Sequence, residues 1–175
     1  MKTIIARIIS FAFGPVSWVI FFLISSYYKG LFQNISNMFV VIMIAFIIPI
    51  VFFSYLLKTK KISDFDITTR QERYPFLIIM NICLLALLYF LYTQHLTTLF
   101  HLTQIISIII AISSFITFFY KISFHITFSY TFSILINMLF SFKTWWLYPI
   151  VPIVFWSRLT LKKHTIMQML LAITI

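Results

Sequence analysis

An all-helical integral membrane bundle of about six transmembrane helices is the fold class this sequence predicts, and three observations carry that expectation. Of its 175 residues 62% are hydrophobic and only 9% are charged, too few to give a globular domain a solvated surface. The apolar residues fall into successive runs, most of them near the roughly 20 residues that a helix needs to cross about 30 Å of hydrocarbon. The basic residues lie mainly between those runs. A net charge of +10 would suggest nucleic acid in a soluble protein; between spans the bases meet lipid phosphates instead, so no nucleic-acid partner is expected.

The elements follow in order. The first run, about Ile8 to Tyr28, is preceded by Lys2 and Arg7, but it is too long for a signal peptide and lacks a small-residue cleavage site. It reads as a retained span. Further spans are expected at about Asn37 to Leu57, Pro75 to Tyr92, Leu102 to Tyr120 and Ile126 to Phe142. The sixth, Thr144 to Trp156, is the weakest: it contains Pro149 and Pro152 and would reach about 20 Å as a straight helix. After His164 a last apolar stretch, residues 165–175, is half a span and reads as incomplete. Residues 1–175 are thus expected to form one membrane-embedded domain, with no room among them for a soluble one. Cys83 has no second cysteine to pair with, which excludes an internal disulfide and a cysteine metal cluster.

Six crossings would place Lys2, Arg7, Lys58, Lys60, Lys61, Arg70, Arg73, Lys121, Arg158, Lys162 and Lys163 on one side, and Lys29 and Lys143 on the other. By the positive-inside rule the richer side is cytoplasmic, which predicts a plasma (inner) membrane protein with a cytoplasmic N-terminus.

Three short segments on that basic side hold nearly everything capable of chemistry. The first runs from Asp64 to Pro75 and contains all three acids, Asp64, Asp66 and Glu72. On a helix Asp66, Arg70 and Arg73 would share a face, so an ion-paired turn is one reading. The other is that Arg70 or Arg73 offers its planar fork to phosphate oxygens. The second segment, Lys121 to His125, lies where one span gives way to the next, so Ser123 and His125 sit at a helix N-terminus suited to an anion. An interfacial histidine beside a snorkelling lysine is the plainer alternative. The third is Ser157-Arg158, five residues, His164, three residues, Gln168. One helical turn separates His164 from Gln168, so the amide oxygen can accept an imidazole N–H, fix the tautomer and leave the other nitrogen to react. A basic flank that stops translocation explains Lys162 and Lys163 but not this pair.

Taken together, the three segments resemble the motifs of the type 2 phosphatidic acid phosphatase superfamily. That family carries Lys, six residues, Arg-Pro; then Pro-Ser-Gly-His; then Ser-Arg, five residues, His, three residues, Asp. Ser157-Arg158 and His164 fit the third motif up to its last position, where Gln168 stands for Asp. Ser123-Phe124-His125 is similar to the second, with Ile122 for Pro and Phe124 for Gly. The first is the loosest: Tyr74 separates Arg73 from Pro75, and Asp66 occupies the lysine position. The likeness covers roughly residues 60–168, with 46 residues between Pro75 and Ile122 and 31 between His125 and Ser157.

The resemblance implies a metal-independent phosphatase without cofactor, in which His164 attacks phosphorus, His125 protonates the leaving alcohol, and water releases phosphate from the phosphohistidine. Arg158 and Arg73 would clamp the phosphate, with Ser123 and Ser157 as further donors and Arg70 and Lys121 as secondary candidates. The substrate class is a lipid phosphate: phosphatidic acid, phosphatidylglycerol phosphate or a polyprenyl diphosphate. Gln168 can orient the nucleophilic ring but cannot neutralise it, so the alternatives are a catalytically weak or inactive phospholipid-binding pseudoenzyme and a small membrane transporter. For the transporter the expected mark is polar or ionisable residues in mid-span; this chain has Asn81, Ser107, Ser113, Ser114, Ser133 and Asn137 there but no charge, which argues against ion coupling. His95 and His101, six residues apart in the expected Thr93 to Gln104 connection, have no third ligand nearby and predict no metal site.

Overall fold

The computed structural model describes all residues from Met1 to Ile175 and is entirely helical, with no strand. It divides into two compact units: Met1–Lys29 with Tyr120–Ile175, and Gly30–Phe119.

The second unit is built from three helices that each satisfy the length and apolar character of a membrane span: α3, Ile35–Lys58; α4, Tyr74–Thr93, entered through a 3₁₀ turn at Gln71–Arg73; and α5, Thr97–Phe119. Asn34 caps α3 by accepting the Asn37 backbone N–H at 2.8 Å. Pro49 lies inside α3, where its missing N–H would strand the carbonyl one turn earlier. A π-turn at Met43–Ile47 widens the register just ahead of it, and the helix continues. Asn81 on α4 donates to the Leu77 carbonyl and to Ser114 Oγ on α5, at 2.8 and 2.9 Å. In α5, Ser107, Ser114 and Thr117 return their hydroxyl protons to carbonyls one turn back, which satisfies them without water. The linker between α3 and α4 folds around Leu56, Ile62 and Ile67.

The first unit contains α1, Lys2–Ala12; α2, Pro15–Tyr28; α6, Phe124–Leu139; α7, Ile150–Thr160; and α8, Ile166–Ile173. The expected first span is therefore two helices, bent by 43° at Gly14–Pro15, because Pro15 has no N–H to give α1 and holds Gly14 extended. α6 and α7 have 16 and 11 residues, about 24 and 16 Å, and neither reaches span length by itself. The chain thus has three helices long and apolar enough to cross a membrane, or four if the bent pair is one span, against the about six read from the apolar runs. The residues missing from the fifth and sixth runs form a corner between α6 and α7 tied to one side chain. Asn137 Nδ2 donates to Tyr148 Oη at 2.8 Å, and Asn137 Oδ1 accepts from the Thr144 backbone and hydroxyl at 3.0 and 3.1 Å.

Four helix ends share one device. α3, α4, α6 and α7 close with paired bonds in which a left-handed residue and its successor donate back into the last turn. The left-handed residues are Lys60, His95, Ser141 and Lys162, with φ between 52° and 55°. Glycine usually takes that position, but the chain has two glycines. His95 is accordingly a helix-capping residue, and His101 lies on α5 rather than in a loop.

Candidate functional site

The first unit gathers His125, His164, Arg158, Ser123, Ser157, Lys121 and Gln168. Their common scaffold is an apolar cluster of Ile126, Val154, Met169 and Ala172, with Ile9 of α1 and Phe13 just beyond it packed against it. Ile126 neighbours His125, Met169 neighbours Gln168 and Val154 lies one turn before Arg158, so burying these four residues fixes where the polar neighbours stand. α7 runs back along α6, and the Lys121 ammonium donates to the Lys163 carbonyl at 3.1 Å. The start of α6 and the α7–α8 turn therefore lie at the same end of the unit, as a site built from both requires.

His164 occupies the α7–α8 turn and is 7% exposed. α7 stops there because Lys162 turns left-handed, with Lys162 N–H on the Leu159 carbonyl and Lys163 N–H on the Arg158 carbonyl at 2.9 and 3.1 Å. α8 begins with a reciprocal capping box: Gln168 N–H donates to Thr165 Oγ1 at 3.4 Å and Thr165 N–H donates to Gln168 Oε1 at 3.2 Å. The second bond identifies the amide oxygen, since a backbone N–H can only donate. That oxygen also lies 3.2 Å from His164 Nδ1, a contact that suits a ring with a proton on Nδ1.

Arg158 is buried to 1% exposure and its Nη1 donates to Ser10 Oγ on α1 at 2.7 Å. Ser157 beside it donates to the Ala6 carbonyl at 2.8 Å, so its hydroxyl proton locks α7 to α1 and is not directed to a ligand. Ser123 starts α6. Its carbonyl accepts the Ile126 and Thr127 N–H groups, both at 3.0 Å, while its fully buried hydroxyl caps nothing and has no hydrogen-bond partner. His125 stands in the first turn of α6, and its Nε2 faces Gly14 at the α1–α2 break, 3.6 Å from where a Cβ on that glycine would be.

Arg70 and Arg73 belong to the second unit. Arg73 is 5% exposed and its Nε donates to the Ile67 carbonyl at 2.9 Å. Arg70 Nη1 donates to the Phe119 carbonyl, the last of α5, a favourable place for a cation. In the same loop Glu72 accepts the Ser63 backbone N–H and hydroxyl at 2.7 and 2.8 Å, and those bonds, the backbone one foremost, hold its carboxyl below the usual carboxylate range. No trio of His, Cys, Asp or Glu side chains is gathered anywhere as a metal would require.

Sequence reasoning missed α1. Ala6, Ser10 and Gly14 recur every four residues on one face and all meet the site residues, yet they are small residues in an apolar run with no chemical signature. No family model, no curated protein and no solved structure matches this chain.

Proposed function

We propose that the protein is a membrane-embedded phosphatase of lipid phosphates that works through a phosphohistidine on His164. The observation that carries this reading is the Gln168 Oε1 contact at His164 Nδ1, in the unit that also holds Arg158 and His125. His164 Nε2 attacks phosphorus, the P–N bond forms as the P–O bond to the lipid alcohol breaks, and His125 gives its proton to the departing oxygen. Water then attacks phosphorus, the P–N bond breaks, and phosphate leaves while His125 takes the water proton. Splitting the transfer in this way replaces one hard step with two. The Arg158 guanidinium and the Ser123 hydroxyl are the groups suited to the charge on the phosphoryl oxygens. A proton donor such as His125 contributes about 10² to 10⁴ in rate.

In this reading the bundle crosses about six times, with α7 and the bent α1–α2 pair completing short or broken crossings, and the basic ends face the cytoplasm of the plasma (inner) membrane. A phosphorylated lipid keeps its tails in hydrocarbon while its head group meets the site. One feature favours a second reading, a protein that binds phosphorylated lipid without turning it over: Gln168 is neutral and cannot offset the charge of a histidine losing its lone pair to phosphorus.

The test is phosphate release from vesicles containing phosphatidic acid, phosphatidylglycerol phosphate or a polyprenyl diphosphate, with chelator present, by the intact chain and by His164→Ala. Release by the first and loss in the second is expected. Equal release by both overturns the mechanism, and vesicle binding without release selects the second reading.

A further inference from the structure

The end of the first unit away from the Lys121–Lys163 contact presents large aromatic rings to the outside. Phe142, Trp145 and Trp146 on the α6–α7 corner are 54–68% exposed, and Tyr27 and Tyr28 at the end of α2 are 63% and 79% exposed. The two groups share that end because Tyr28 stacks on Phe140, with ring centroids 6.0 Å apart, and Lys29 Nζ lies 4.6 Å from the centre of the same ring. Phe142 has φ 62°, which a bulky residue rarely adopts, so the corner keeps its ring outside against the backbone preference. All three acids of the chain lie in the other unit, and the charges at this end are Lys29 and Lys143, both exposed. A second copy of the corner would set lysines against lysines. Broad rings with polar edges, flanked by ammonium groups, match the phosphates and upper acyl carbons of a phospholipid layer.

The height from this end to the site is short. α6, which joins the two, has 16 residues and reaches about 24 Å. The return leg, a 3₁₀ turn at Trp145–Leu147 and the 11 residues of α7, reaches about 22 Å. Ordinary hydrocarbon is about 30 Å thick. Lysines stretched outward can cover such a shortfall, but here Lys29 is folded over Phe140 and Lys121 is held on the Lys163 carbonyl at 3.1 Å. Thinning the bilayer is the remedy that needs neither side chain to move. We propose that the aromatic corner is seated at the lipid–water boundary of the leaflet opposite the site, and that the bilayer around this unit thins to about 24 Å, which brings phospholipid head groups to the His164 end. The inference rests on the reading of α6 and α7 as crossings and of a lipid phosphate as the substrate, and it makes bilayer thickness a regulator of that site.

The intact chain in vesicles of dimyristoleoyl, dioleoyl or dierucoyl phosphatidylcholine, each with the same share of phosphatidic acid, tests the thickness. Melting temperature and phosphate release are both expected to be highest in the thinnest, dimyristoleoyl, and release to fall several-fold by dierucoyl. A melting temperature that is highest in a thicker bilayer, or unchanged across the series, overturns the thinning. Equal release in all three, from a protein whose melting follows thickness, overturns the delivery of head groups to the site. The seating is read from the tryptophan emission that Trp145→Phe with Trp146→Phe removes, the rest coming from Trp18 and Trp156. Lipids brominated high on the acyl chain should quench that difference several-fold more than lipids brominated near its end. The reverse order puts the corner in mid-bilayer, and quenching by neither puts it in water or against a protein; both overturn the seating. A chain that releases no phosphate in any vesicle, with melting and quenching as expected, sinks the phosphatase reading and leaves the seating and the thinning standing.

Discussion

Substitution of Gln168 separates what its side chain does for the fold from what it does for His164. Gln168→Ala removes the acceptor of two N–H groups, Thr165 N and His164 Nδ1, each 3.2 Å away. Both bonds are at the long end of the ordinary range and the side chain is half-buried, so each contributes about 0.5–1 kcal/mol and the pair about 1–2 kcal/mol. For a chain of this size that lowers the melting temperature in detergent by about 2–8 °C. Gln168→Glu behaves differently: Glu is the other residue that completes a capping box, and its charge suits the first turn of α8 by about 0.3–1 kcal/mol. That variant should melt no lower than the wild type. Its carboxylate can also stabilise a charged imidazole, which the amide cannot. In a serine-protease triad the reverse change costs about 10⁴, largely through the wrong tautomer. Gln168 Oε1 already meets His164 Nδ1 here, so the expected gain in phosphate release is smaller, about 10 to 10³-fold. Differential scanning fluorimetry and the vesicle assay read the two effects separately. A Gln168→Ala protein with unaltered melting temperature refutes the capping box, and a stable Gln168→Glu protein no faster than wild type refutes Gln168 as the partner of a nucleophile.

Asn137→Leu deprives Tyr148 Oη and the Thr144 backbone and hydroxyl of their partner, and should cost about 2–3 kcal/mol in equilibrium unfolding, whereas a loss under 0.5 kcal/mol would mean that the corner holds without it. Lys162→Gly relieves a left-handed residue at φ 54° and should stabilise the chain by about 1 kcal/mol; destabilisation would show that the lysine side chain outweighs its backbone strain. Glu72 has its folded pKa held below its unfolded value of about 4.5, so its tie to Ser63 is fully present above that value and is lost as pH falls through the lowered one. The Ser63 amide chemical shift, followed by NMR against Glu72→Gln, should titrate below the ordinary carboxylate range in the wild type alone. A midpoint at or above that range would contradict the bond.

The helical class and the start of several elements were legible because the signals are local. Apolar runs mark α3, α4 and α5, prolines mark the first turns of α2 and α4, and Thr165 with Gln168 spells a capping box that spacing alone could have identified. The pairing of His164 with Gln168 was expected from a helical turn, but His164 lies outside α8, and the contact forms because Gln168, at the third position of the capping box, reaches back past Thr165. Helix ends were not legible. The usual stop signal is glycine, and here Lys60, His95, Ser141 and Lys162 take its place, held left-handed by bonds back into the helix that hydropathy does not record. Runs that looked like fifth and sixth spans consequently gave up part of their length to the Asn137 corner.

What the sequence determined by itself is that this chain is helical, apolar enough for a membrane, and provided with a histidine and a glutamine close enough along the chain to meet. Only the tertiary structure decided that α1 belongs to the site. Ser157 meets Ala6 and Arg158 meets Ser10 across 151 and 148 residues of chain, and Gly14 faces His125. Such contacts depend on which small residue leaves room beside which helix, and a serine or glycine within an apolar run carries no sign of what will pack against it until the helices are in place.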